Sequence, residues 1–335
     1  MNILKTPLKT GRMDLKNRLV MPPMASSKAT EEGRVTPQLR DFYAEKSAGG
    51  YIGLFILEHS YVSIEGKAGK GQLSVSDNRD IDGLKDLAAI IHENGSKVMA
   101  QISHAGGSAK SEITGKRVLG ASAVVVPRTG TVPEEMTGQD IRKVIDDFAS
   151  AAVRVKRAGF DGVEIHSAHG YLLNQFYSPL TNRREDEYNA FTVENRLKLH
   201  LEIIEAIRNA VGKDYPVALR LGACDYMQGG TTLQDSVMAA QILEKAGIDM
   251  LDISGGLCGS ARPGVKEQGY FSELAEAVKR SVGIPVMLTG GITDAAYAER
   301  LLKDNKADLI GVGRAVLKDS LWAKRAILAT DADTE

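Results

Sequence analysis

Short apolar runs and longer amphipathic stretches alternate along this chain of 335 residues. Runs rich in valine, isoleucine and leucine fall at 19–21, 53–57, 97–102, 162–165, 217–221, 250–253, 285–288 and 309–312. They are apolar throughout rather than alternating, as expected of strands covered on both faces. Between them, apolar residues recur with helical spacing over 84–93, 140–158, 194–210, 233–246, 271–282 and 295–303. Glycine follows two of these helices, at Ala158-Gly159 and Ala246-Gly247, where a left-handed residue suits a helix end.

Eight strand-then-helix units predict an α/β fold of the (β/α)8 TIM-barrel type. A doubly wound open sheet would instead place a glycine-rich dinucleotide fingerprint after its first strand, and no Gly-x-Gly-x-x-Gly opens the first unit. No Pro/Gly-rich linker divides the chain, so one domain over 1–335 is expected. Residues 103–139 separate the third strand from the third helix, a long β3–α3 excursion expected to carry a small hairpin or lid.

Composition narrows the function classes. Lys and Arg total 42 against 43 Asp and Glu, so charge gives no reason for nucleic acid or an anionic membrane as main partner. The opening MNILKTPLKTGRMD lacks a secretory apolar region, and no run has the length of a membrane helix. Cys224 and Cys258 form neither a disulfide framework nor a Cys-x-x-Cys site. A soluble, cytoplasmic protein is expected.

In a barrel of this kind, residues just after the strands converge on one mouth. Those positions hold Pro22, Pro23, Met24 and Ala25, then Glu58 and His59, Gln101 and His104, and His166, His169 and Tyr171. Arg220, Ser254-Gly255-Gly256, Gly290-Gly291 and Gly313-Arg314 complete the rim. Two features carry chemistry. The last two strands end in LTGGIT and GVGR, where glycines open backbone N–H groups to an anion and Arg314 adds a bidentate charge. A helix N-terminus following each loop would add partial positive charge. Glycines alone also serve tight turns, but the paired loops with arginine point to a phosphate on a substrate or a cofactor. Arg220 would neutralise charge near the barrel centre or join an internal salt bridge with Asp225 or Glu164. Gln101 offers a donor and an acceptor at once, suited to a planar ring with a mixed edge.

The second feature is His166-Ser167-Ala168-His169-Gly170-Tyr171. A metal would need further ligands, for which Glu58, His59 and His104 are the candidates, yet no dense carboxylate set or His-Glu-x-x-His pattern is present. No metal is expected. Two neutral imidazoles can instead donate to one carbonyl or phenolate oxygen, with Tyr171 giving a proton to a neighbouring carbon. The bland alternative is a pair of capped histidines on a surface loop.

Over nearly its whole length the chain resembles the Old Yellow Enzyme family of FMN-dependent oxidoreductases. The likeness runs through LKNRLVMPPMAS, GLFILE, QISHAGG, GFDGVEIHSAHGYLLNQFYSPLTNRREDEY, LRLGACDY, LTGGIT and GVGRAVLKD. It is nearest the short bacterial branch that pairs two histidines. The resemblance implies FMN at the barrel mouth. Pro23, Met24 and Ala25 match the segment beside the flavin ring, and Gln101 the residue at its pyrimidine edge. Arg220 matches the arginine near N1 and O2. Gly291, Gly313 and Arg314 match the phosphate seat. His166 and His169 match the pair gripping the substrate's oxygen, and Tyr171 the proton donor. The implied reaction is ene-reduction: NADH or NADPH supplies a hydride that FMN passes to the activated C=C bond of an α,β-unsaturated carbonyl compound. A flavin-bearing dehydrogenase, demethylase or double-bond isomerase is the alternative. The family suggests a homo-oligomer, dimer or tetramer.

Four departures from the family stand out. His59 follows Glu58 where relatives place a small residue, so an imidazole either contacts the cofactor or points away. Ala25 replaces a frequent cysteine, and Ser27 a frequent tyrosine. Gly107 stands where arginine is usual. Asn189-Ala190-Phe191 replaces a glycine-rich turn, which implies a different loop course. Two cysteines cannot build a four-cysteine iron–sulfur cluster, so electrons are expected directly from a soluble donor.

Overall fold

The structure, a computed structural model, describes residues 2–9 and 11–329. Eight parallel strands close into a barrel: β1 (Leu19–Met21), β2 (Leu54–Tyr61), β3 (Lys97–Ser103), β4 (Gly162–Ser167), β5 (Val217–Gly222), β6 (Met250–Ser254), β7 (Val286–Thr289) and β8 (Leu309–Gly311). Each follows its predecessor around the ring, and β8 returns to β1 through Ile310 opposite Leu19. The outer ring contains α1 (Pro37–Ser47), α2 (Ile81–Glu93), α3 (Gly138–Arg157), α4 (Val193–Val211), α5 (Leu233–Lys245), α6 (Ser272–Lys279) and α7 (Ala295–Lys303). Arg314–Lys318 and Trp322–Leu328 follow β8.

Local chemistry sets the helix starts. Thr137 caps α3 and Thr232 caps α5, each in a capping box with the aspartate three residues on. The helices turn an apolar stripe inward, as with Ile141, Val144, Phe148 and Val155 on α3, all buried against the barrel wall.

The barrel interior is layered. Met99, Ala218, Met250, Met287 and Leu309 lie in one buried apolar cluster with Met13 and Leu15. The latter two belong to a segment whose strands, Leu8–Lys9 and Asp14–Leu15, pair antiparallel. This hairpin shares the cluster of the lower barrel, a role the sequence reading did not assign to it. Two residues further along the same strands come Gln101, Arg220, Asp252 and Thr289. Strand alternation therefore stacks a polar layer on an apolar plug.

The excursion departs from expectation in detail. Its two short strands, Leu119–Gly120 and Glu134–Glu135, run parallel, so 121–133 forms a returning loop rather than a hairpin. Among the described residues, no helix is long and apolar enough to cross a membrane.

Candidate active site

Register brings the polar layer together. Gln101 lies opposite Glu164, and its Nε2 donates to Glu164 Oε1 at 2.8 Å. Arg220 lies opposite Asp252 on one side and His166 on the other. Its Nε sits 3.0 Å from Asp252 Oδ2, and Thr289 Oγ1 donates to Asp252 Oδ1 at 3.1 Å. The internal partner of Arg220 is thus Asp252, not Asp225 or Glu164. Asp225 is occupied elsewhere, accepting from Ser178 Oγ and from the backbone of Thr231 and Leu257. Burial pushes Glu164 and Asp252 above the usual carboxylate range, with Arg220 opposing the shift.

Above this layer lies a cavity of about 250 Å3. Every residue assigned from sequence to the cofactor or substrate lines it: Pro23, Met24, Ala25, Gln101, Arg220, Gly291, Gly313 and Arg314, together with His166, His169 and Tyr171; so does His59, whose direction the sequence left open. His104 does not; it faces a separate pocket with Glu65 and Lys143. Asn189 also lies off the cavity. Its side chain donates to Asp186 O and accepts from Phe191 N, which fixes the altered loop away from the site.

The strand β4 runs two residues further than its apolar run and carries His166 within it. His169 follows in a left-handed conformation, φ 60°, rare for a side chain of its size. The imidazoles of His166 and His169 stand 5.1 Å apart between centroids, and the ring of Tyr171 is 5.1 Å from His166. His169 Nε2 is 2.8 Å from Ser254 Oγ, whereas His166 Nδ1 is buried with no partner among the described residues. Burial holds both histidines well below the ordinary imidazole range, each with Arg220 and Arg128 adding to the shift, so both are neutral. Burial raises Tyr171, which keeps its proton.

His59 faces the cavity. An extra residue in β2 between Leu57 and Ser60 breaks the strand's alternation and re-aims its side chain. Its tautomer is fixed. Ala68 N donates to Gln72 Oε1, so Gln72 Nε2 is the donor to His59 Nδ1 at 2.7 Å, leaving the proton on His59 Nε2. Burial lowers this imidazole to about 4.

At the opposite side, Gly291 has φ +68°, and a Cβ there would lie 2.5 Å from Tyr270 Cε1. A Cβ on Gly313 would overlap Met24 Sδ. Arg314 Nη2 donates to the Tyr270 hydroxyl at 2.8 Å and has no carboxylate partner among the described residues. Bare backbone and an unpaired guanidinium suit a phosphate. The expected helix dipoles contribute little, because the helix after Gly313 has five residues and α7 begins only at Ala295. An orphaned imidazole nitrogen, a glycine cradle and a polar floor together fit FMN.

Sequence reasoning missed Arg128, Ser260, Tyr270 and Asp252. The first three line the cavity from loops without periodicity. Asp252 had a signal: an aspartate in the middle of a buried apolar strand needs a charged partner.

A closed barrel with a glycine–arginine cradle and paired histidines at one mouth is the architecture of a flavin-type TIM-barrel oxidoreductase. Residues 4–330 match the model of the NADH:flavin oxidoreductase / NADH oxidase family. The chain belongs to this family of FMN-dependent enzymes, in its Old Yellow Enzyme group. It is 41% identical over 322 residues to the NADH oxidase of Thermoanaerobacter brockii, covering 94% of this chain and 49% of that protein. It is 38% identical to the NADPH dehydrogenase of Geobacillus thermodenitrificans, covering 96% and 92%. A solved 2-naphthoyl-CoA reductase complex superposes with a TM-score of 0.91 at 28% identity, covering 97% of this chain and 52% of that one. The chain therefore spans about half the length of the first relative and of the solved reductase.

Proposed function

We propose that this chain is an ene-reductase, an FMN-dependent NAD(P)H oxidoreductase that reduces the activated C=C bond of α,β-unsaturated carbonyl compounds. The observation that carries the reading is the pair of neutral imidazoles, His166 buried and His169 half-buried, opening on the same cavity as the glycine–arginine cradle. In this reading one FMN-binding barrel over 1–335 acts in the cytoplasm as a dimer or tetramer.

Gly291, Gly313 and Arg314 would hold the FMN phosphate. Pro23, Met24 and Ala25 would flank the ring, Gln101 would meet its pyrimidine edge, and Arg220 would favour negative charge beside it. When bound, FMN carries the hydride of NADH or NADPH to the alkene. His166 and His169 donate to the substrate's carbonyl oxygen and stabilise the negative charge that develops there as the β-carbon gains hydride. Tyr171, whose hydroxyl has no protein hydrogen-bond partner among the described residues, gives its proton to the α-carbon, and water restores it. Hydride and proton together balance the saturation of the double bond. His59 Nε2–H adds a third neutral donor facing the cavity.

The test is anaerobic. Holoenzyme reduced by NADH or NADPH should be reoxidised by a panel of cyclic enones with loss of the alkene. Reduction by the nicotinamide donor without reoxidation by any enone would assign the site to another flavin reaction.

The neutrality of the clamp has a pH signature. An exposed histidine loses its neutral form near pH 6.5. Here burial lowers both imidazoles, so their donor state persists as pH falls from 8 through 6.5. The histidine pair should add no inflection near pH 6.5 to the reoxidation rate by enone, measured by stopped flow at fixed ionic strength; Asp252 beneath Arg220, pushed up to about 6, is the buried group that titrates in that region.

A further inference from the structure

Among the described residues, three arginines line the cavity, and no aspartate or glutamate does. Arg220 is paired with Asp252 in the floor, 3.0 Å away. Arg314 stands at the glycine cradle and matches one anion, the cofactor's phosphate. That leaves Arg128. Its Nη1 donates to His169 O at 2.9 Å, and its guanidinium lies 5.1 Å from the centroid of the Tyr171 ring. It pairs with no carboxylate among the described residues. A guanidinium has five N–H donors in a planar fork, and only one is used here. With His59, His166 and His169 all neutral, no described residue lining this side of the cavity offsets the charge.

The loop that carries Arg128 is built to place it. Val126 N donates to Thr131 O at 2.8 Å and Gly130 N to Val126 O at 2.9 Å, closing a turn with Arg128 at its tip. Val126 is buried against Gly107, where a Cβ would lie 2.7 Å from Val126 Cγ2. The absent side chain at 107 is thus the space that seats this turn over the site.

We propose that Arg128 forms an anion subsite beside the histidine pair, so that the natural substrate carries a carboxylate in addition to its activated alkene. The proposal rests on the ene-reductase reading for the neighbouring clamp. The aromatic face of Tyr171 orients the guanidinium, and the carbonyl of His169 holds one arm, leaving the other to meet a carboxylate.

The experiment uses holoenzyme and matched probes: cyclohexenones bearing a carboxymethyl group at each ring position in turn, and the corresponding neutral carboxamides. Acid and amide share the carbonyl that the histidines grip, so damage to His169 lowers both, and only their ratio reads the subsite. In the wild type, kcat/KM for the best acid should exceed that of its amide by about tenfold, the scale of one hydrogen bond to a charged group at a partly wet site. In Arg128→Gln that ratio should fall to about one, within the same scale. An unchanged ratio overturns the proposal. A loss in the rate of reduction by NADPH with the acid-to-amide ratio intact also overturns it, by assigning the arginine to the donor's phosphates. If no enone reoxidises the flavin, the ene-reductase reading fails separately. Calorimetric binding of acid and amide to the oxidised holoenzyme then decides the subsite: a preference for acid that Arg128→Gln abolishes supports it, and equal binding overturns it.

Discussion

Alanine at both His166 and His169 should lower kcat/KM for enone reduction about 10³-fold, while the purified protein stays yellow. The size follows from the loss of preorganised donors aimed at a developing oxyanion, each worth about 10²–10³-fold in a water-poor site. His166 is buried and His169 half-buried, and both are neutral. The cradle at Gly291, Gly313 and Arg314 belongs to other strands, so FMN content read from the visible spectrum should stay near that of the wild type. Asparagine at the same positions keeps an N–H donor and should recover part of the rate. A double alanine variant within threefold of wild type would remove the pair from the proposed role.

Gly291→Val should strip the protein of its cofactor. The residue sits at φ +68°, where a β-branched side chain is strained, and its Cβ would press on Tyr270. Relief requires the cradle backbone or Tyr270 to move, and Tyr270 holds Arg314. FMN affinity should fall about a hundredfold, the equivalent of one or two charge-assisted hydrogen bonds. Fluorescence of released FMN on dilution measures this. Arg314→Ala, which removes charge without backbone strain, should weaken FMN in the same direction. Wild-type retention in both variants would rule out the cradle as the phosphate seat.

Most of this site was legible because barrel geometry turns sequence position into spatial position. Once the eight apolar runs are read as strands, the residues after them must converge, and His166, Arg220 and Arg314 did. The failures have physical causes. His59 was undecidable from alternation because β2 contains an irregularity that alternation does not describe. His104 lies beyond the rim in a pocket of its own, because the chain turns away immediately after β3. The helix α1 was missed because its buried apolar residues are Leu39 and Tyr43 alone, too few for a periodic stripe. The partner of Arg220 was misassigned because cross-strand register, which pairs it with Asp252, depends on the barrel's stagger. Arg128 sits on a loop whose course depends on what it packs against, and a glycine at 107 shows the need for space without naming its occupant.

The ring of strands is sealed where the last meets the first: Ile310 lies opposite Leu19, and Gly311 opposite Val20. The proposed cofactor site straddles that seam, since Gly313 beyond β8 abuts Met24 beyond β1. The segment assigned to the ring is synthesised almost at once, and the glycine–arginine cradle nearly three hundred residues later. A ligand that binds only the closed ring stabilises it by mass action. FMN that binds only this closed ring should therefore raise the stability of the folded chain, read as a higher Tm with added FMN.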